Sequence, residues 1–208
     1  MPLDDLMRLT CAIRREGDGS IGFGTGFCVA PRTVLTAAHV LVPASPSARY
    51  ILSFPEVGDR VASQKDVEIW PRFLRLAATS SKRKDVDAAL ISLTSDIPGF
   101  KMLWTQTQPM ALANAAVAVF GASEQPRSGV VAKVAQERLI CYTAKTPGGF
   151  SGGPVIRKPT PQSNGQAVAV HSGRGSHIVN GLEGFFAECV AIDHVVAAAI
   201  KAQAWPVD

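Results

Sequence analysis

The stretch Gly148-Gly149-Phe150-Ser151-Gly152-Gly153-Pro154 sets a single serine among four glycines, and upstream Thr36-Ala37-Ala38-His39 sets a histidine directly after the apolar run Thr33–Leu35. Between them, Asp87-Ala88-Ala89-Leu90-Ile91 puts an acid at the head of a second apolar run. The order along the chain is therefore His, Asp, Ser. A serine hydroxyl is a poor nucleophile until an imidazole takes its proton, and the imidazole needs a carboxylate to fix its tautomer and stabilise its cation. The glycines answer a separate need: two backbone N–H groups must point at the oxygen of a tetrahedral intermediate, in a turn that Cβ atoms would obstruct. Gly149 and Ser151 are the candidate donors.

Two other readings of the glycines are weaker. Gly149-Phe150-Ser151-Gly152-Gly153 also fits the nucleophile elbow of α/β-hydrolases, where the serine precedes its acid and histidine. His171, His177 and Asp193-His194 lie downstream, but the chain lacks the βαβ alternation which that fold requires. Gly22-Phe23-Gly24-Thr25-Gly26 has no following lysine or helical pattern and reads as a glycine-containing strand rather than a phosphate loop. Asp85 competes with Asp87 for the acid's role. It stands two residues earlier, whereas Asp87 directly precedes the apolar run.

Working outward, apolar runs of strand length recur about every dozen residues, separated by Gly, Pro, Ser and Asp. They span Met7–Ile13, 24–30, Thr33–Thr36, 50–54, 67–70, 88–93, 115–120, 129–134, 139–143, Pro154–Arg157, 167–172 and 184–191. Such spacing without long intervening helices predicts an all-β fold of antiparallel sheets. From Ile192 the pattern changes: Ile192, Val195, Val196, Ala199 and Ile200 fall on one helical face behind a potential N-cap at Asp193, so the chain is expected to finish in a helix. Between Ser95 and Pro109 strand alternation fades, which marks a linker between an N-terminal unit, 1–100, and a C-terminal unit, 101–208. Pro159–Gly165 reads as an exposed hairpin tip.

Composition bounds the function. The 208 residues are 47% hydrophobic and 18% charged, enough to build a core without metals or disulfides. Lys and Arg exceed Asp and Glu by 21 to 17, an excess too small to argue for nucleic acid, and Lys82-Arg83-Lys84 reads as a solvated loop. The longest uncharged stretch, Met102–Ser123, is broken by polar residues and Pro109, so no membrane span is expected. The beginning Met1-Pro2-Leu3-Asp4-Asp5 lacks the features of a secretory signal, which points to a cytoplasmic location. Cys11, Cys28, Cys141 and Cys189 lie far apart, without metal-site spacing, and are expected to be free, buried thiols. No cofactor or metal is expected.

Thr-Ala-Ala-His, Asp-x-Ala-Leu and Gly-x-Ser-Gly-Gly-Pro, in that order, resemble the chymotrypsin-like (trypsin-like) serine peptidases, and the Gly24-Thr25-Gly26-Phe27 strand and terminal helix extend the resemblance over nearly the whole chain. The resemblance implies two six-stranded antiparallel β-barrels, with His39 and Asp87 on the first and Ser151 on the second. It implies an endopeptidase acting on a protein or peptide substrate through an acyl-enzyme, with activity rising as His39 loses its proton at about pH 6–7. The chain departs from the digestive members at two places. Val40 stands where a cysteine commonly follows the histidine, and Phe150 stands where zymogen-activated members carry the Asp that pairs with a newly cut N-terminus. Control is then expected from a regulatory protein partner, oligomerisation or substrate access. A catalytically silent peptide-binding module and a regulatory protease within a larger complex are the alternative functions.

For the pocket that takes the residue on the acyl side of the cut bond, the resemblance points to Lys145, Thr146, His171, Ser172 and Gly173. Lys145 stands where trypsins carry an Asp, so a cationic substrate side chain would meet a cation. Thr146 and His171 resemble the pair with which glutamyl endopeptidases, and viral chymotrypsin-like proteases that cut after Gln, hold their substrate; both side chains can donate to a carbonyl or carboxylate oxygen. Ser172 is expected to support the triad. The alternative is that His171 merely fills its strand and Lys145 points to solvent, leaving a small apolar pocket.

Overall fold

The computed structural model describes residues 3–16, 22–42, 46–122, 124–135, 137–159 and 165–206. Among these residues thirteen strands form two antiparallel sheets. The first holds β1 (Thr10–Glu16), β2 (Gly22–Ala30), β3 (Thr33–Thr36), β4 (Arg49–Phe54), β5 (Gly58–Ser63), β6 (Val67–Ile69) and β7 (Ala89–Ser92), in the order β5-β4-β1-β2-β3-β7-β6. The second is a closed barrel of β8 (Ala116–Gly121), β9 (Glu124–Val134), β10 (Leu139–Tyr142), β11 (Pro154–Arg157), β12 (Gln166–Val179) and β13 (Leu182–Ala191). The all-β, double-barrel class read from the sequence is the observed one. The first half carries seven strands rather than six, in a sheet whose two edges, β5 and β6, are not joined through hydrogen bonds.

The extra strand, β5, escapes a search for apolar runs because Gly58-Asp59-Arg60-Val61-Ala62-Ser63 is an edge strand in which only Ala62 is buried. The central strand shows the opposite pattern: every residue of Thr33-Val34-Leu35-Thr36 is buried between β2 and β7, so β3 is a continuous run and not an alternating one. At the N-terminal end the strand expected over Met7–Ile13 is corrected. Residues Leu3–Arg8 form a short helix, α1, which buries Leu6, and β1 starts only at Thr10, whose hydroxyl donates to the Leu6 carbonyl at 2.9 Å.

Among the described residues three further α-helices follow: α2 (Ala38–Leu41), α3 (Pro71–Arg75) and α4 (His194–Ala202). Asp193 caps α4 as its sequence position suggests, accepting from the N–H groups of Val195 and Val196 at 3.0 and 3.1 Å. Beyond α4, Trp205 stacks on Trp70 with ring centroids 4.7 Å apart and donates to the Glu68 carbonyl, so the end of the chain returns to the first sheet. Residues 93–115 connect the two sheets, and Trp104 on this segment donates its indole N–H to the Val29 carbonyl at 2.7 Å. The tip expected over Pro159–Gly165 falls at 160–164, outside the described residues.

The longest pairing joins β12 to β13, whose outer halves run past the barrel as a two-stranded ribbon. Its turn, Asn180-Gly181, has φ of 51° and 79°, the two left-handed residues that a tight hairpin requires. The dipeptide is the sequence signal that joins the runs 167–172 and 184–191 into one hairpin.

Candidate active site

Asp87 and His39 meet where β3 and β7 lie side by side. β3 delivers the chain into α2, whose second residue is His39, and the turn Ser81–Val86 delivers Asp87 to the head of β7. The Asp87 carboxylate takes two bonds from one residue: Oδ1 accepts from the His39 backbone N–H at 2.9 Å, and Oδ2 lies 2.7 Å from Nδ1 of the ring. Ser172, at the barrel end of β12, donates its hydroxyl to the same Oδ2. Asp87 is 3% exposed, whereas the His39 side chain is 41% exposed, so the acid is sealed behind a ring that reaches the cleft. Desolvation opposes a charge on His39, but the Asp87 charge and hydrogen bond outweigh it and hold the ring above the ordinary histidine value, with Arg83 and Lys84 pulling slightly the other way.

Asp85 has a different task. Its carboxylate accepts from the Arg138 backbone N–H at 2.7 Å and faces that residue's guanidinium, which is bonded to Asp193 at 2.6 Å and lies over the Trp70 ring. Asp85, Arg138 and Asp193 thus tie the turn before Asp87 to the barrel and to the cap of α4.

The serine turn is pinned from both sheets. Thr25, on β2, donates its N–H to the Ser151 carbonyl at 2.7 Å and its hydroxyl to the Gly149 carbonyl at 2.6 Å, while its own carbonyl accepts from Thr36. From β12, the His171 carbonyl accepts from the Gly152 N–H at 2.7 Å. The turn depends on glycine at two points: Gly149 has φ +91° and Gly152 has φ +88°, and a Cβ on Gly152 would strike the Thr25 carbonyl and the Thr36 hydroxyl. A Cβ on Gly24 would press on Val40, beside His39, and on the Ser151 carbonyl, so one bare backbone separates the histidine segment from the serine. Among the described residues no backbone carbonyl accepts from the N–H of Gly149 or of Ser151. Phe150 is buried in the barrel core against Gly121, which anchors the turn by packing rather than by an ion pair. Sequence reading missed Thr25 as a clamp, because its role depends on partners 124 and 126 residues away.

The pocket residues separate into two sets. His171 is 2% exposed and its Nδ1 lies 2.8 Å from the Tyr142 hydroxyl; burial depresses its pKa to about 4, so the ring is neutral near neutral pH. Thr146 is buried, whereas Lys145 is exposed. Ser172 donates to Asp87, and Gly173 borders the cleft. Nothing near Tyr142 in the sequence marks it as a partner of His171. The four cysteines are buried and unpaired, and desolvation raises their thiols, Cys28 to about 12 and Cys141 to about 11.

The sequence profile of the trypsin-like peptidase domain matches residues 24–170. No protein of curated function is recognisably similar in sequence. Among solved structures, one described as a Glu endopeptidase in complex with MPD superposes with a TM-score of 0.69 over 98% of this chain and 94% of that one, at 16% identity, a likeness of fold. The matched segment carries the His39 loop, the Asp87 turn, the Ser151 turn and the start of β12, more than half of the chain: this protein belongs to the trypsin-like peptidase domain family.

Proposed function

We propose that the chain is a serine endopeptidase in which Ser151 is the nucleophile, His39 the general base and acid, and Asp87 the residue that orients and stabilises the imidazolium. The observation that carries this reading is the double grip of Asp87 on His39, backbone and ring together, beside a serine turn fixed by Thr25. As the Ser151 Oγ bonds to the substrate carbonyl carbon, His39 takes the hydroxyl proton. The oxyanion that forms accepts from the N–H groups of Gly149 and Ser151. The proton then passes to the leaving amine as the C–N bond breaks, and water repeats the sequence to release the acid and restore Ser151.

Specificity for Gln or Glu on the acyl side of the cut bond rests on His171. In this scheme the Tyr142 hydroxyl, 2.8 Å from Nδ1, is the donor, and the neutral ring carries its proton on Nε2 for a side-chain oxygen of the substrate. A neutral donor favours Gln at neutral pH, and Glu gains as the pH falls. Thr146 is the second proposed donor. Exposed Lys145 takes no part in this scheme beyond disfavouring cationic substrates.

A fluorophosphonate probe tests the reading: it labels Ser151 in the wild type and fails on Ser151→Ala and His39→Ala. Folded wild-type protein that is not labelled overturns the enzyme in favour of a silent peptide-binding module. A peptide library with cleavage after Arg, Lys or bulky apolar residues overturns the Gln/Glu assignment. We further propose action in the cytoplasm, on protein or peptide substrates, with no nucleic acid or membrane involved. Control by a partner protein is proposed in place of N-terminal cleavage, since Phe150 offers no charge to a freed amino terminus.

A further inference from the structure

A cleft of about 730 Å³ opens beside His39, between the turn Ser81–Val86 and its approach on one side and Ser172, Gly173 and Arg174 of β12 on the other. Three cations line it: Arg83, Lys84 and Arg174. The anions there are already engaged. Asp87 is bonded to His39 and Ser172, and buried Glu188 is bonded to Lys84 and, at 2.7 Å, to His177. Lys84 also donates to the Arg174 carbonyl. Arg83 and Arg174, by contrast, form no ion pair among the described residues; Arg83 lies over the Phe73 ring at 4.1 Å, and its Nε is buried with no acceptor. The Lys82-Arg83-Lys84 segment is thus no solvated loop beyond Lys82, because its second and third residues face the cleft.

The same cleft offers an open strand edge. β12 pairs with β11 as far as Val170, and from Gly173 onward it pairs with β13 alone. An extended peptide can add there, its side chains alternating between the strand and the cleft. We infer that this cleft takes an acidic side chain, one of those two to four residues upstream of the cut bond, against Arg83 and Arg174. The inference rests on the reading of the adjoining site as one that cleaves peptides. Concave walls of one net sign concentrate opposite charge, and a guanidinium seated over an aromatic ring can still offer N–H groups to a carboxylate. Of the cleft's cations, Arg83 and Lys84 stand close enough to His39 to oppose its protonation, so an acid seated against Arg83 would reach the triad as well.

The test uses the full chain carrying Ser151→Ala and peptides with Gln at the acyl position and Glu, Gln or Lys at each of the three preceding positions, with binding read by fluorescence anisotropy. At one position Glu should bind about tenfold tighter than Gln, and Lys weaker. The preference should shrink in added salt and largely vanish in the background of Arg83→Gln with Arg174→Gln. Equal binding of all peptides, a preference that survives both substitutions, or no binding at all overturns the inference. If the double variant does not fold, the salt dependence of the Glu preference decides. Fluorophosphonate labelling of the wild-type protein reads the catalytic site separately. Labelled enzyme without a charge preference overturns only this inference, while charge-selective binding by wild-type protein that is never labelled overturns the catalytic reading and leaves the cleft standing.

Discussion

His39 and Asp87 are joined twice, ring to Oδ2 at 2.7 Å and backbone N–H to Oδ1 at 2.9 Å, so a single carboxylate sets both the position of the histidine's main chain and the tautomer of its ring. An amide in its place keeps the shape but offers one oxygen for three donors, counting Ser172. Asp87→Asn should therefore stay folded and lose about 10⁴-fold in kcat, read by steady-state kinetics beside a thermal melt. Asp85→Asn should do the reverse: it weakens the Arg138 cluster, costing about 3 kcal/mol of stability, while active-site titration shows the surviving folded enzyme turning over near the wild-type rate. If Asp85→Asn proves the catalytically damaging change, the assignment of the acid is wrong.

The pH dependence of kcat/KM should show a rising limb as His39 loses its proton. Because Asp87 holds the protonated ring above the ordinary histidine value, the half-maximal point should lie on the alkaline side of an unperturbed histidine's. In Asp87→Asn the limb should move down. A profile flat from pH 5 to 8 would contradict a histidine base.

His171 makes a second pH prediction, with the opposite sign. Its folded pKa, about 4, is below the unfolded 6.5, so between these values the unfolded chain binds a proton that the folded one refuses, and stability falls as the pH falls through that window. The loss is at most about 3 kcal/mol. Urea unfolding of the wild type and of His171→Phe at a series of pH values checks it: the variant's stability should fall less steeply from pH 6.5 to 4.

Tyr142→Phe removes the hydroxyl that faces His171 Nδ1 and leaves a buried ring nitrogen without its partner. The expected result is a cost of about 1–3 kcal/mol in stability and a loss of discrimination for Gln or Glu substrates, with labelling of Ser151 retained. Unchanged selectivity would show that His171 does not read the substrate.

Gly152→Ala should abolish labelling of Ser151, since its Cβ would collide with the Thr25 carbonyl and the Thr36 hydroxyl at a φ of +88°. Gly148→Ala, where a Cβ meets nothing within 4 Å, should be tolerated. The pair of labelling yields measures how far the turn depends on close approach rather than on glycine content.

The sequence by itself determined the strand-rich class, the terminal helix with its Asp193 cap, and the His, Asp, Ser order, because these rest on local periodicity and on short motifs whose chemistry is carried by neighbouring residues. It could not rank Asp85 against Asp87 beyond motif register. Both acids are buried, and only the fold shows that one faces His39 and the other Arg138. Charged edge strand β5 and helix α1 were not legible either, since an edge strand need not alternate and a six-residue helix is fixed by the burial of Leu6 rather than by propensity. Tertiary structure alone decided the partners that lie far off in the chain: Thr25 holding Gly149 and Ser151, Tyr142 facing His171, and Arg83 and Arg174 converging on one cleft. A hydrogen bond or a charge pair depends on distance in space, and two antiparallel sheets bring together residues whose separation in sequence carries no periodic signal.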